Sequence, residues 1–132
     1  SGPDRFMSTY QLLREAIRQV GEEPDERQAE EIGRLVAHLA TLRRMSSSIA
    51  GRIDRGDDPA IAAALVKDVG TSFEREIPEV VRRILPVEPT LGPGTGFDEL
   101  LGIAMLRSPS FTIRGGTREI LRGMIARGLG LR

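Results

Sequence analysis

Cysteine is absent from this 132-residue chain, which removes disulfide staples, thiol nucleophiles and thiolate metal sites together. Tryptophan is absent too, and aromatic residues make up only 4%. His38 is the single histidine, so a histidine-based metal site or a nucleophile–histidine pair is not expected. No apolar run approaches the roughly 18–20 residues needed to cross a bilayer. Net charge is also missing: 19 basic and 19 acidic side chains cancel, leaving no field to recruit nucleic acid or an anionic membrane. Lys67 is the only lysine; the other basic residues are arginine. Ser1-Gly2-Pro3 has neither the basic start nor the apolar stretch of a signal peptide,, and a cytoplasmic location is expected.

What is present is helical periodicity, and no segment alternates as a strand does. Phe6, Tyr10, Leu13, Ile17 and Val20 fall at steps of three and four, with Gly21 ending that helix. Pro24-Asp25 opens a second helix whose stripe runs from Ile32 to Ile53, and Gly56 closes it; that is about 30 residues, or about 45 Å. Asp58-Pro59 reads as an N-cap followed by proline at the first helical position,. Ile61, Leu65, Val69, Phe73, Ile77, Val80 and Ile84 continue a third helix, and Pro78 inside it predicts a kink or local break,. Residues 86–96, with three prolines and three glycines, read as a loop. A short helix follows from Phe97 to about Leu106, then a loop through Ser108-Pro109. Thr117 reads as the N-cap of a last helix with Glu119 in its first turn, ending at Gly128 or Gly130,. The expected architecture is all-α, a single domain over 1–132: an up-and-down four-helix bundle with a short C-terminal helical extension.

Few local motifs carry chemistry. Gly92-Pro93-Gly94-Thr95-Gly96 lacks the lysine of a Walker loop and the preceding strand of a dinucleotide loop,, so it reads as a connection. Arg114, Arg118 and Arg122 fall four apart and read as a solvated face paired with nearby acids, with a phosphate contact as the alternative. Small side chains at Ser46-Ser47-Ser48 suit close helix approach.

The segment Ser110-Phe111-Thr112-Ile113-Arg114-Gly115-Gly116-Thr117-Arg118-Glu119-Ile120-Leu121-Arg122-Gly123-Met124-Ile125-Ala126-Arg127, with its tail Gly128-Leu129-Gly130-Leu131, resembles the C-terminal signature of acyl-CoA dehydrogenases. That signature reads roughly Gly-Gly-Thr-x-Glu-Ile-x-Arg-x-x-Ile-Ala. The resemblance implies the C-terminal bundle of a longer, FAD-dependent enzyme that desaturates an acyl-CoA and passes electrons to an electron-transfer flavoprotein. It implies flavin contacts at Gly116, Thr117, Arg118 and Glu119. Physically, Gly115-Gly116 permits backbone shapes closed to other residues, and Thr117 offers a hydroxyl and free amides at a helix N-terminus, an anion site.

The commonest catalytic base of the family is a glutamate immediately before the Gly-Thr pair, where this chain has Gly115. A second group places the base on the first bundle helix, directly before an arginine. Asp4-Arg5 fits that pattern, which makes Asp4 the candidate base; an ordinary helix acid or a subunit without a base are the competing readings. The family's Arg-x-x-Phe-Gly is missing at Gln19-Val20-Gly21-Glu22-Glu23-Pro24, and its Gln-x-x-Gly-Gly at Arg82-Arg83-Ile84-Leu85-Pro86. Both segments reach a neighbour's flavin in the family. The implied assembly is therefore a homo- or hetero-oligomer with another acyl-CoA dehydrogenase-like subunit. The 132 residues alone are expected neither to hold FAD nor to oxidise an acyl-CoA. A helical interaction module without flavin chemistry is the alternative.

Overall fold

In the computed structural model, which describes residues 9–131, the chain forms five helices: α1 (Tyr10–Val20), α2 (Glu26–Asp54), α3 (Ala60–Ile84), α4 (Phe97–Phe111) and α5 (Arg118–Gly128). No strand occurs among the described residues. Phe6 and Asp4 lie outside them.

α3 is the hub, packing against α1, α2, α4 and α5. Its stripe supplies Phe73, Ile77, Val80 and Val81, each at most 1% exposed, to a core shared with Leu12, Leu13, Leu35, Leu42 and Leu101. Full burial of each such side chain contributes about 1.5–3 kcal/mol. His38 lies half-buried against Phe73, ring centroids 4.8 Å apart, a packing role.

α2 and α3 run antiparallel. Asp25 and Gln28 form a capping box at the start of α2, and the Gln28 side-chain amide also donates to the Ile84 carbonyl at the end of α3, 3.0 Å away,. Glu31 then accepts from Arg34 and Arg83 at 2.8 and 3.1 Å, while Arg34 reaches Glu76 at 2.7 Å. The bonds from Arg34 and then Arg83 hold the Glu31 carboxyl below its ordinary range.

α3 runs on through Pro78, so of the expected kink or local break the break does not occur. A proline removes the N–H that would bond the carbonyl four residues back, here that of Glu74. The Thr9 hydroxyl donates to that carbonyl at 3.1 Å in a buried contact. Thr9 precedes α1 yet makes no side-chain cap bond to its own helix; its hydroxyl serves α3 instead. The proline in α3 thus leaves the acceptor to which the start of α1 docks.

Two further boundaries differ from expectation. α3 starts at Ala60, with Asp58 accepting from the Ala60 amide at 3.0 Å, one residue later than Pro59. α4 runs on through Pro109 to Phe111 instead of ending near Leu106. Pro109 sits in the last turn, and Phe111, 3% exposed, draws that turn onto the protein interior.

Candidate functional site

The connection between α4 and α5 is built on two glycines with positive φ, Gly115 at 66° and Gly116 at 114°. Side-chain-bearing residues rarely hold the second value. Thr117 is extended, and its hydroxyl oxygen accepts from the Ile120 amide at 3.5 Å, so the expected N-cap is formed. The Glu119 carboxyl is held below its ordinary range, first by its own backbone amide and next by the Thr117 hydroxyl. At the helix start the Ile120 amide is thus taken by the Thr117 hydroxyl, and the Glu119 carboxyl stands in the same turn.

The three arginines do find acids, and all of these lie on α3. Arg114 Nη2 donates to Glu74 Oε2 at 2.9 Å, where the Glu74 side chain is fully buried, and its guanidinium stands 4.7 Å over the Phe111 ring. Asp68 takes both others: Arg118 Nε on Oδ1 at 3.2 Å and Arg122 Nε on Oδ2 at 3.1 Å. The Lys67 ammonium donates to the Gly115 carbonyl. This face is thus an ion-paired seam, half-buried at Arg114 and Arg118 and solvated at Arg122. Asp68 and Glu74 were not singled out in the sequence. The available signal was three arginines at helical spacing beside an α3 that carries acids between its apolar positions.

Of the expected flavin contacts, Gly116, Thr117 and Glu119 form one continuous turn, while Arg118 is directed back onto Asp68. Thr9, just before α1, is brought to the same place. Thr9 bonds the Glu74 carbonyl, and the Glu74 carboxylate holds Arg114, the residue before the glycine pair. Asp4 lies five residues before Thr9, a span of at most about 18 Å when extended.

Elsewhere, the glycine-rich loop is closed on its own helix: the Thr95 amide donates to Asp98 at 2.8 Å and the Gly94 amide to Glu99. It is a connection and not a phosphate cradle. The segments lacking the two interface motifs of the resemblance come together. Gln19, Leu85 and Pro86, with Glu15, Val87, Thr95 and Phe97, line one open depression of about 390 Å³. Among the described residues that line it, the one charged side chain is the acid Glu15.

Among the described residues, no helix is long and apolar enough to cross a membrane. No curated protein and no solved structure matches the chain. A family model described as acyl-CoA dehydrogenase, C-terminal domain, matches residues 11–130, spanning the bundle, the glycine turn and α5. The chain belongs to the acyl-CoA dehydrogenase family and is its C-terminal helical domain.

Proposed function

We propose that this domain completes the flavin and substrate site of an acyl-CoA dehydrogenase subunit through the Gly115–Glu119 turn. The observation that carries the reading is the backbone of the turn. Two successive glycines with positive φ leave bare peptide faces, and Thr117 and Glu119 supply polar atoms at the rim. That surface fits a flat polar ring laid against backbone. It does not fit a phosphate, since Glu119 already holds negative charge at the start of α5. Gly116, Thr117 and Glu119 would hold the ring edge of FAD, with Arg118 bracing the turn from behind. When bound, FAD supplies the acceptor for the β-hydride of the acyl chain, and electrons leave to a flavoprotein partner.

Gly115 cannot remove the α-proton. Asp4 is proposed as the base because Asp4-Arg5 matches the family's second base pattern; among the described residues, Thr9 bonds the Glu74 carbonyl and the Glu74 carboxylate holds Arg114, next to the turn. In the intact protein, Asp4→Asn should retain flavin and bind substrate, yet slow anaerobic bleaching of the flavin by acyl-CoA by about 10²–10⁴-fold, the usual weight of a general base. Bleaching at the wild-type rate eliminates Asp4.

The assembly proposed is a mixed oligomer with a second acyl-CoA dehydrogenase-like subunit, working in the cytoplasm. Support comes from the two missing interface motifs: Gln19 and Leu85-Pro86, which stand where the family's segments are expected, line one depression together with Glu15. Two copies of this chain would each offer the other an unfinished pocket.

A further inference from the structure

α5 packs on α3 with Leu121 as its one fully buried residue; Gly123, Ile125 and Ala126 are half-buried, Gly128 lies close against Ile61, and Ile120 and Met124 face outward at 57% and 38% exposure. Such contacts hold a helix against its neighbour more than they fix its rotation, because burial is non-directional. Direction comes from hydrogen bonds, and at this seam they converge on α3. The two oxygens of Asp68 each take one Nε, from Arg118 and Arg122, side chains one helical turn apart on α5,. A one-residue rotation of α5, about 100°, would lift both arginines off the carboxylate.

Asp68 is itself held. It is 8% exposed, and the Thr71 and Ser72 hydroxyls donate to the main-chain oxygens of Lys67 and Asp68 at 2.9 and 2.8 Å. Its neighbour Lys67 reaches over to the Gly115 carbonyl, and Glu74 takes Arg114 on the far side of the turn. The glycine turn is therefore bracketed on both sides and bonded at Gly115, each time to α3.

We propose that Asp68 is a positioning residue: its carboxylate, shared between Arg118 and Arg122, sets the seat of α5 and so the direction of the Gly115–Gly116–Thr117 turn. That this matters to cofactor binding rests on the flavin reading of the turn. Asp68→Asn keeps the shape of the side chain but removes its charge and one of its two acceptor oxygens.

In the intact protein, hydrogen–deuterium exchange read on peptides covering 118–128 should accelerate about tenfold or more in Asp68→Asn, equivalent to losing one charge-assisted bond. Peptides covering 73–84 should be unchanged, since local opening is independent of the core. Asp68→Glu should recover most of the protection, because the longer carboxylate still reaches both guanidiniums. Arg122→Gln, at a solvated side chain that the core does not need, should move the same peptides less and provides the reading if Asp68→Asn fails to fold. FAD retention after desalting should fall in Asp68→Asn and return in Asp68→Glu. Acceleration of both peptide sets together, or of neither, overturns the proposal. A wild-type protein that holds no FAD defeats the flavin reading instead, and the exchange pattern still decides the role of Asp68.

Discussion

Gly102 and Gly33 both sit inside helices, and contacts around them give opposite expectations. A Cβ on Gly102 would fall on the Thr90 carbonyl, where the loop before α4 crosses the helix and the Thr90 amide donates to the Asp98 carbonyl at 3.1 Å. A Cβ on Gly33 meets nothing within 4 Å. Gly33→Ala should therefore stabilise by roughly 0.5–1 kcal/mol through helix propensity. Gly102→Ala should destabilise by about 1–3 kcal/mol, the overpacking penalty exceeding the same propensity gain. Denaturant melts of the two variants are the check, and a stabilised Gly102→Ala would refute the close approach. The pair Gly115-Gly116 was legible in the sequence because no other residue type substitutes freely for it. The crowding at Gly102 was not: it depends on a backbone twelve residues earlier, and a glycine inside a helical pattern gives no sign of what crosses it.

Helices were legible where their signals were local. About 30 residues were expected for α2 and 29 are observed, because Pro24-Asp25 and a turn glycine punctuate an apolar stripe. The Thr117 cap follows from the same kind of signal. A proline breaks a helix only if the carbonyl it leaves without its amide finds no other donor or the ring finds no room, and Pro78 meets neither condition. Pro78 is buried in the core and its orphaned carbonyl takes the Thr9 hydroxyl, a partner 65 residues away that local patterning cannot supply. Thr9→Val removes the hydroxyl that donates to that buried carbonyl and should cost about 1–3 kcal/mol,. Pro78→Ala restores an intrahelical N–H to the same acceptor, so the valine should cost little in that background. A double-mutant cycle should show coupling of roughly 1 kcal/mol or more between the two sites. Strict additivity would mean that Thr9 does not substitute for the missing amide.

On the scale of the whole molecule, α3 joins stability to the candidate site. Its apolar side is the bundle core, while Lys67, Asp68 and Glu74 hold the turn that carries the family signature. The bundle and the signature were both readable in the sequence, the first from periodicity and the second from resemblance. The ionic seam was only half readable, since arginine spacing announces a charged face but not the buried acids that complete it. If the turn helps to hold a flavin, an acyl-CoA should reduce that flavin in the intact protein. The most direct measurement is a visible spectrum of the intact protein, copurified with any acyl-CoA dehydrogenase-like subunit encoded beside it and desalted, before and after anaerobic addition of acyl-CoA thioesters of short, medium and long chain. The account predicts a retained flavin band, at fewer than one flavin per chain, that bleaches with at least one thioester. A preparation without flavin, or a flavin that none of the thioesters bleaches, would contradict it.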